Sequence, residues 1–118
     1  MEIYIADVPF DEGYGSKIRP ALVIEVGQNG VVVLKVTSQY RQKSAQIKQL
    51  YYPIQEWQEA GLKKPSYVDT HKFYRLSKKW VFNRRPIGKL SAVDRLGLFN
   101  FMNRRRWLEG RLKKWLKR

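Results

Sequence analysis

The sequence predicts a mainly β domain with some α: a small antiparallel barrel or curled sheet closed by a basic C-terminal helix. Three observations carry this. The first half consists of β-branched and aromatic runs cut by turn residues. An Asn29-Gly30 dipeptide lies between two apolar runs, the strongest short signal for a hairpin. From Ser91 onward apolar residues recur at helical spacing.

The elements follow in order. Ile3, Ile5 and Val8 lie among small and acidic residues in a short first strand. The polar stretch from Asp11 to Lys17, with two glycines, reads as an exposed loop. Ala21-Leu22-Val23-Ile24 is continuously apolar, as expected of a strand buried on both faces. Gln28-Asn29-Gly30 turns the chain into Val31 to Thr37, the second arm of an antiparallel hairpin. Tyr51 to Ile54 is a further short strand, with Pro53 marking an edge or an end. Gln55 to Ala60 fits one helical turn stopped by Gly61. Ser66 to Leu76 reads as a strand in which Tyr67, Asp69, His71 and Phe73 alternate with Val68, Thr70, Lys72 and Tyr74. Residues 86–90 read as a connector. Ser91 is a helix N-cap with an acid, Asp94, three residues on. Leu98, Phe101, Met102, Leu108, Leu112, Trp115 and Leu116 follow at helical spacing, with Gly97 and Gly110 as weak points and Gly110 a candidate break. Trp57, Trp80, Trp107 and Trp115 read as core or interface, and Phe99 and Phe101 as core. The division is one domain, 1–118, with a barrel and short helical insertion over 1–90 and a basic helix or helices over 91–118.

Composition narrows the function. The chain of 118 residues carries 24 Lys+Arg against 10 Asp+Glu, a net charge of +14, and no cysteine. A disulfide scaffold, a Cys-based zinc site and a thiol nucleophile are excluded. A single His excludes His-rich metal ligation, and no metal or cofactor site is expected. The acidic N-terminus differs from a basic signal peptide, and no apolar run approaches the ~20 residues that span a bilayer, so the expected compartment is the cytoplasm. The charge is uneven: residues 1–15 carry four acids and no Lys or Arg, whereas residues 101–118 carry eight cations against Glu109, a net +7. Such a domain suits a polyanionic partner, nucleic acid or an acidic protein.

Four segments, in order, resemble one family. Ile5-Ala6-Asp7-Val8-Pro9-Phe10-Asp11, Lys17-Ile18-Arg19-Pro20-Ala21-Leu22-Val23-Ile24, Val33-Leu34-Lys35-Val36-Thr37-Ser38 and Ile87-Gly88-Lys89-Leu90-Ser91 are similar to the first strand, the arginine-proline strand, the third strand and the start of the last helix of PemK/MazF-like toxins. Glu59 to Ser66 and Leu76-Ser77-Lys78 fit one branch of that family. The resemblance covers about residues 1–105. It implies an SH3-like barrel forming a homodimer, a metal-independent, sequence-specific endoribonuclease (an mRNA interferase) acting on single-stranded RNA, and an acidic antitoxin that inhibits it.

Such cleavage needs a group to take the 2′-OH proton, a group to neutralise the phosphorane and a group to protonate the leaving oxygen. Arg19 suits the second role, because a guanidinium offers paired donors to phosphate oxygens, and it matches the family's functional arginine. Thr37 matches the functional threonine; with Ser38 it ends the third strand, where hydroxyls and backbone N–H groups hold a phosphate or satisfy the local backbone. His71 is the candidate for proton transfer, since an imidazole ordinarily titrates near about 6.5; a structural His is the competing reading. Asp69-Thr70-His71 falls where family members often carry a basic and an acidic residue two apart, so Asp69 and His71 would share one strand face with the two types exchanged. Lys17, Gln39, Tyr40 and Arg41 flank these positions as candidate substrate contacts, cations for phosphates and Tyr for bases.

Two functions are therefore open: a toxin-like endoribonuclease, and a non-catalytic nucleic-acid-binding barrel that has lost the chemistry, which the Asp69/His71 exchange keeps in play. An antitoxin-class transcription factor is disfavoured by the β-rich first half. The segment from Arg104 to Arg118 reads as a solvated face, an RNA-affinity tail or a protein-binding surface, with a membrane surface ranked last.

Overall fold

The structure, a computed structural model, describes the backbone of residues 1–10 and 14–116 and the side chains of residues 1–10 and 14–104. Six strands form one antiparallel sheet curled into a half-barrel: β1 (Glu2–Pro9), β2 (Ser16–Val26), β3 (Val31–Thr37), β4 (Tyr51–Pro53), β5 (Tyr67–Leu76) and β6 (Gly88–Lys89). Their spatial order is β4-β5-β3-β2-β1-β6. Two single-turn helices, α1 (Ala45–Lys48) and α2 (Lys78–Val81), lie in connections, and α3 (Ala92–Leu116) closes the chain. Gly110 does not interrupt α3. No helix among the described residues is long and apolar enough to cross a membrane.

The strand period of two builds a core on each face of the sheet. Ile3, Leu22, Leu34, Val36 and Val68 face Tyr52, Ile54, Ala60, Leu90 and Leu98. Tyr4, Ala6, Val8, Ala21, Val23, Val31, Val33 and Tyr74 face the other way, with Val81 of α2. This double burial is why residues 21–24 are continuously apolar. The hairpin forms where Asn29-Gly30 predicts it, with the Gly27 N–H donating to the Gly30 carbonyl at 2.9 Å. β4 is an edge strand, as Pro53 requires.

The turn over 55–60 ends as expected. The Gly61 N–H donates to the Gln58 carbonyl and the Leu62 N–H to the Trp57 carbonyl, both at 3.1 Å. Gly61 has φ +85°, and a Cβ there would overlap the Ile87 carbonyl. The N-terminal end of the same turn is held from far away. Asp94, fully buried, accepts the N–H groups of Gln55 and Glu56 and the Tyr52 hydroxyl, each at 2.8 Å. Ser91 caps α3 as predicted, its Oγ accepting the Asp94 N–H at 3.3 Å. The Asp94 carboxylate is thus used to join α3 to β4 and the turn rather than for a local capping box alone.

Several expectations are corrected. Residues 88–89 within the supposed connector pair with Glu2 and Ile3 of β1. α1 and α2 are additions to the expected elements, capped by Ser44 and Ser77, which accept the N–H groups of Ile47 and Trp80 at 3.3 Å. Phe99 is 58% exposed, because Leu98, Phe101 and Met102 make the face of α3 that meets the sheet. Trp57 packs against the core, but Trp80 is 62% exposed. The side chains of Trp107, Leu108, Leu112, Trp115 and Leu116 lie outside the described residues.

Tyr52 and Gly97 form one fitted pair. A Cβ on Gly97 would overlap the Tyr52 hydroxyl. Gly97→Ala is expected to lower stability in urea unfolding, although Ala favours a helix by about 1 kcal/mol. Tyr52→Phe is expected to cost roughly 1–3 kcal/mol by stripping a donor from buried Asp94, and the double variant to regain part of the Gly97→Ala loss. Burial, then the bond to Asp94, raises the Tyr52 pKa well above the usual phenol range. That contribution is complete below the unfolded phenol's pKa of about 10 and is lost as pH rises further, so the gap between wild type and Tyr52→Phe should shrink in strong alkali.

Candidate active site

The second core ends toward one margin of the sheet, and the candidate residues gather there. Arg19 on β2 lies opposite Ala6 on β1. The β2–β3 register, Ala21 opposite Lys35, carried two residues further sets Arg19 opposite Thr37. Thr37 in turn pairs with Tyr67 of β5. Ala6, Arg19, Thr37 and Tyr67 therefore form a row across four strands, with neighbouring Cα atoms about 4.5–5.5 Å apart. Alternation directs this row to the face of Ala6, Ala21 and Val33.

Arg19 is half-buried, and its Nε is buried with no hydrogen-bond partner among the described residues. An unsatisfied buried donor costs about 1–3 kcal/mol. The Thr37 hydroxyl accepts the Gln39 N–H at 3.1 Å, closing a turn at the strand end and leaving the hydroxyl proton to donate. Ser38, Gln39 and Arg41 are exposed on the loop that follows, and Lys17 is exposed two residues before Arg19. This loop and Lys64, Pro65 and Tyr67 bound a groove of about 440 Å³ beside Thr37.

The expected Asp69–His71 pair on one strand face is not formed. Val33 pairs with Tyr74 and Lys35 with Asp69, so four residues of β5, 70–73, stand against Leu34 alone. This bulge destroys the alternation: Val68, Asp69 and Thr70 are buried in succession, and His71, Lys72 and Phe73 are exposed. Asp69 holds the bulge. Its Oδ1 accepts the His71 N–H at 2.9 Å, and its Oδ2 lies 3.9 Å from Lys35 Nζ. Strand spacing puts β5, two strands away, about 10 Å from the strand of Arg19.

Reading from the sequence missed Lys35, Tyr67, Gln42 and Lys64. Lys35 did carry a signal, since a lysine inside a buried β-branched run needs a polar partner. Tyr40 is half-buried and is no open platform: its ring stacks on Tyr67 at 4.2 Å and 8°, with Lys48 Nζ 5.0 Å from its centroid. Among the described residues, no three His, Asp or Glu side chains converge. Asp69→Ala is expected to lower stability by on the order of 2–3 kcal/mol, because Lys35 loses its buried acidic partner and the bulge its cap. Thermal unfolding measures this, and a variant with unchanged stability would refute the structural role.

A search of curated proteins found no match. Among solved structures, a Mycobacterium tuberculosis protein described as toxin MazF-mt6 superposes with a TM-score of 0.64 at 22% identity, covering 88% of this chain and 94% of that one. This likeness shows the fold, a curled antiparallel sheet with a C-terminal helix. Residues 1–96 match the profile of the family described as PemK-like, MazF-like toxin of type II toxin–antitoxin system. The chain, in sequence and in fold, belongs to that toxin family.

Proposed function

We propose that this chain is an endoribonuclease that cuts single-stranded RNA by attack of a 2′-hydroxyl on the adjacent phosphate, and that an acidic antitoxin restrains it. The observation that carries the reading is the row of Arg19 and Thr37, with a guanidinium nitrogen that has no partner among the described residues held on a rigid strand. A guanidinium so placed receives two equatorial oxygens of a phosphorane, and its rigid strand spares reorganisation at the moment of reaction. The Thr37 hydroxyl donates to a third oxygen while its turn orients the N–H groups of the loop. Lys17, Ser38 and Arg41 supply positive charge and donors along the strand path. Asp69 is a positioning residue in this scheme, since its carboxylate is engaged by Lys35 and the His71 N–H. His71 enters on its chemistry, as the one imidazole, rather than on its distance from Arg19. Two copies of the chain make the expected assembly. The +7 tail adds affinity for RNA or antitoxin and no chemistry.

The bulge favours a second reading, a barrel that binds RNA without cutting it, because it buries Asp69 and leaves His71 exposed instead of pairing them on one strand face. A fluorogenic RNA assay in EDTA decides. Arg19→Ala is expected to reduce cleavage by at least 10²–10³-fold, the loss found for one transition-state donor, and Thr37→Ala by less, each with its melting temperature unchanged. Tight RNA binding without cleavage by the wild type would establish the second reading. His71→Ala is expected to lose 10²–10⁴-fold with a changed pH profile, as for a general acid or base; an unaltered rate would remove His71 from the reaction and leave Arg19 and Thr37 in place.

A further inference from the structure

We propose that the groove between the 38–42 loop and Lys64-Pro65 holds one unpaired nucleotide of the RNA beside the Arg19–Thr37 row, its base read by the Gln39–Gln42 amide pair and its phosphate held by Arg41 and Lys64. The inference rests on the ribonuclease reading and adds where one base is recognised. The groove measures about 440 Å³, within the range of small-ligand sites, ~300–1,000 Å³. Its lining contains two cations and no acid. It continues directly from the row, because Ser38 follows Thr37 and Tyr67 pairs with it.

The loop is built to hold its shape. The Thr37 hydroxyl accepts the Gln39 N–H at 3.1 Å, and the Tyr40 carbonyl accepts the Lys43 N–H at 3.0 Å. The Tyr40 ring, stacked on Tyr67 and neighboured by Tyr51 at 6.3 Å, ties the loop to β5 and β4. Tyr40 is thus a strut. On this support the Gln42 Nε2 donates to the Gln39 Oε1 at 3.3 Å. The bond uses one donor and one acceptor of the pair. It leaves the Gln39 NH₂ as donor and the Gln42 carbonyl as acceptor, both on residues that line the groove. Donors and acceptors of this kind complement the edge of an unstacked base, the feature by which single-stranded RNA is read. A pair mutually oriented before binding loses less rotamer freedom when the base arrives.

The test uses the full chain and single-stranded RNA oligonucleotides of one length that differ at one position at a time around the cut. Affinity is read by fluorescence anisotropy and cut sites by sequencing the products. The wild type should prefer one base at a position adjoining the cut by roughly 10-fold or more, the discrimination of a good bidentate contact. Gln39→Ala/Gln42→Ala should lose that preference to within about threefold, with its melting temperature unchanged, both side chains being exposed. Arg41→Ala/Lys64→Ala should instead weaken every oligonucleotide alike and reduce the salt dependence by about 0.7 in log–log slope, the single-strand value for the one phosphate they hold. A double glutamine variant that keeps the wild-type preference overturns the proposal, as does a wild type with no preference beside the cut. Sequence-dependent binding without cleavage would sink the ribonuclease reading and keep this one, and no RNA binding at all would sink both.

Discussion

One buried carboxylate ties the C-terminal helix to β4 and to the turn that follows it. Asp94 has no exposed surface, and four donors from three segments converge on it: Tyr52 of β4, Gln55 and Glu56 of the turn, and Ser91 at 3.4 Å. A carboxylate taken out of water is tolerated only when its oxygens are filled in this way. Because the donors come from separate stretches of chain, satisfying Asp94 fixes where α3 starts, how β4 lies and where the 55–62 turn sits. The same constraint explains why a glycine occupies position 97, one helical turn on, where the Tyr52 ring passes.

From that clamp the consequences run to the site. β4 lies against β5, so Tyr51 stands opposite Asp69 and Pro53 opposite Tyr67. The turn leads through Leu62 and Lys63 to Lys64 and Pro65, one wall of the groove beside Thr37. The other wall is the 38–42 loop, tied to β5 by the Tyr40–Tyr67 stack. Adjoining it through Ser38 and Lys64, the turn and Ile87 bound a second groove of about 460 Å³ lined by Ile5, Pro20 and Val36. The sheet supplies a row of rigidly spaced positions, and the clamp supplies the walls around it.

Charge takes on two different physical roles in this frame. Arg19 is a single, half-buried cation on a central strand, where the reduced dielectric makes its interaction with an anion stronger than in water. Lys17, Arg41 and Lys64 are exposed, where salt screens their interaction with an anion. Lys35 is buried but turned inward to Asp69 and lies over the Tyr74 ring at 5.4 Å, so its charge serves packing. Net charge alone, +14, separates none of these roles.

Much was legible from the sequence by itself: the hairpin at Asn29-Gly30, the doubly buried strand at 21–24, the edge strand marked by Pro53, the stop at Gly61, the cap at Ser91 and the family. These signals are local or periodic, and short-range physics enforces them. The candidates Arg19 and Thr37 were legible through the resemblance, but their facing positions required the β2–β3 register, a property of two strands together. The bulge at 70–73 was decided only in three dimensions. Nothing in Asp69-Thr70-His71-Lys72-Phe73 alone breaks a period of two. It breaks because Asp69 is drawn inward to Lys35 and its other oxygen caps the His71 N–H, so that the chain must loop out before Tyr74 returns to the core.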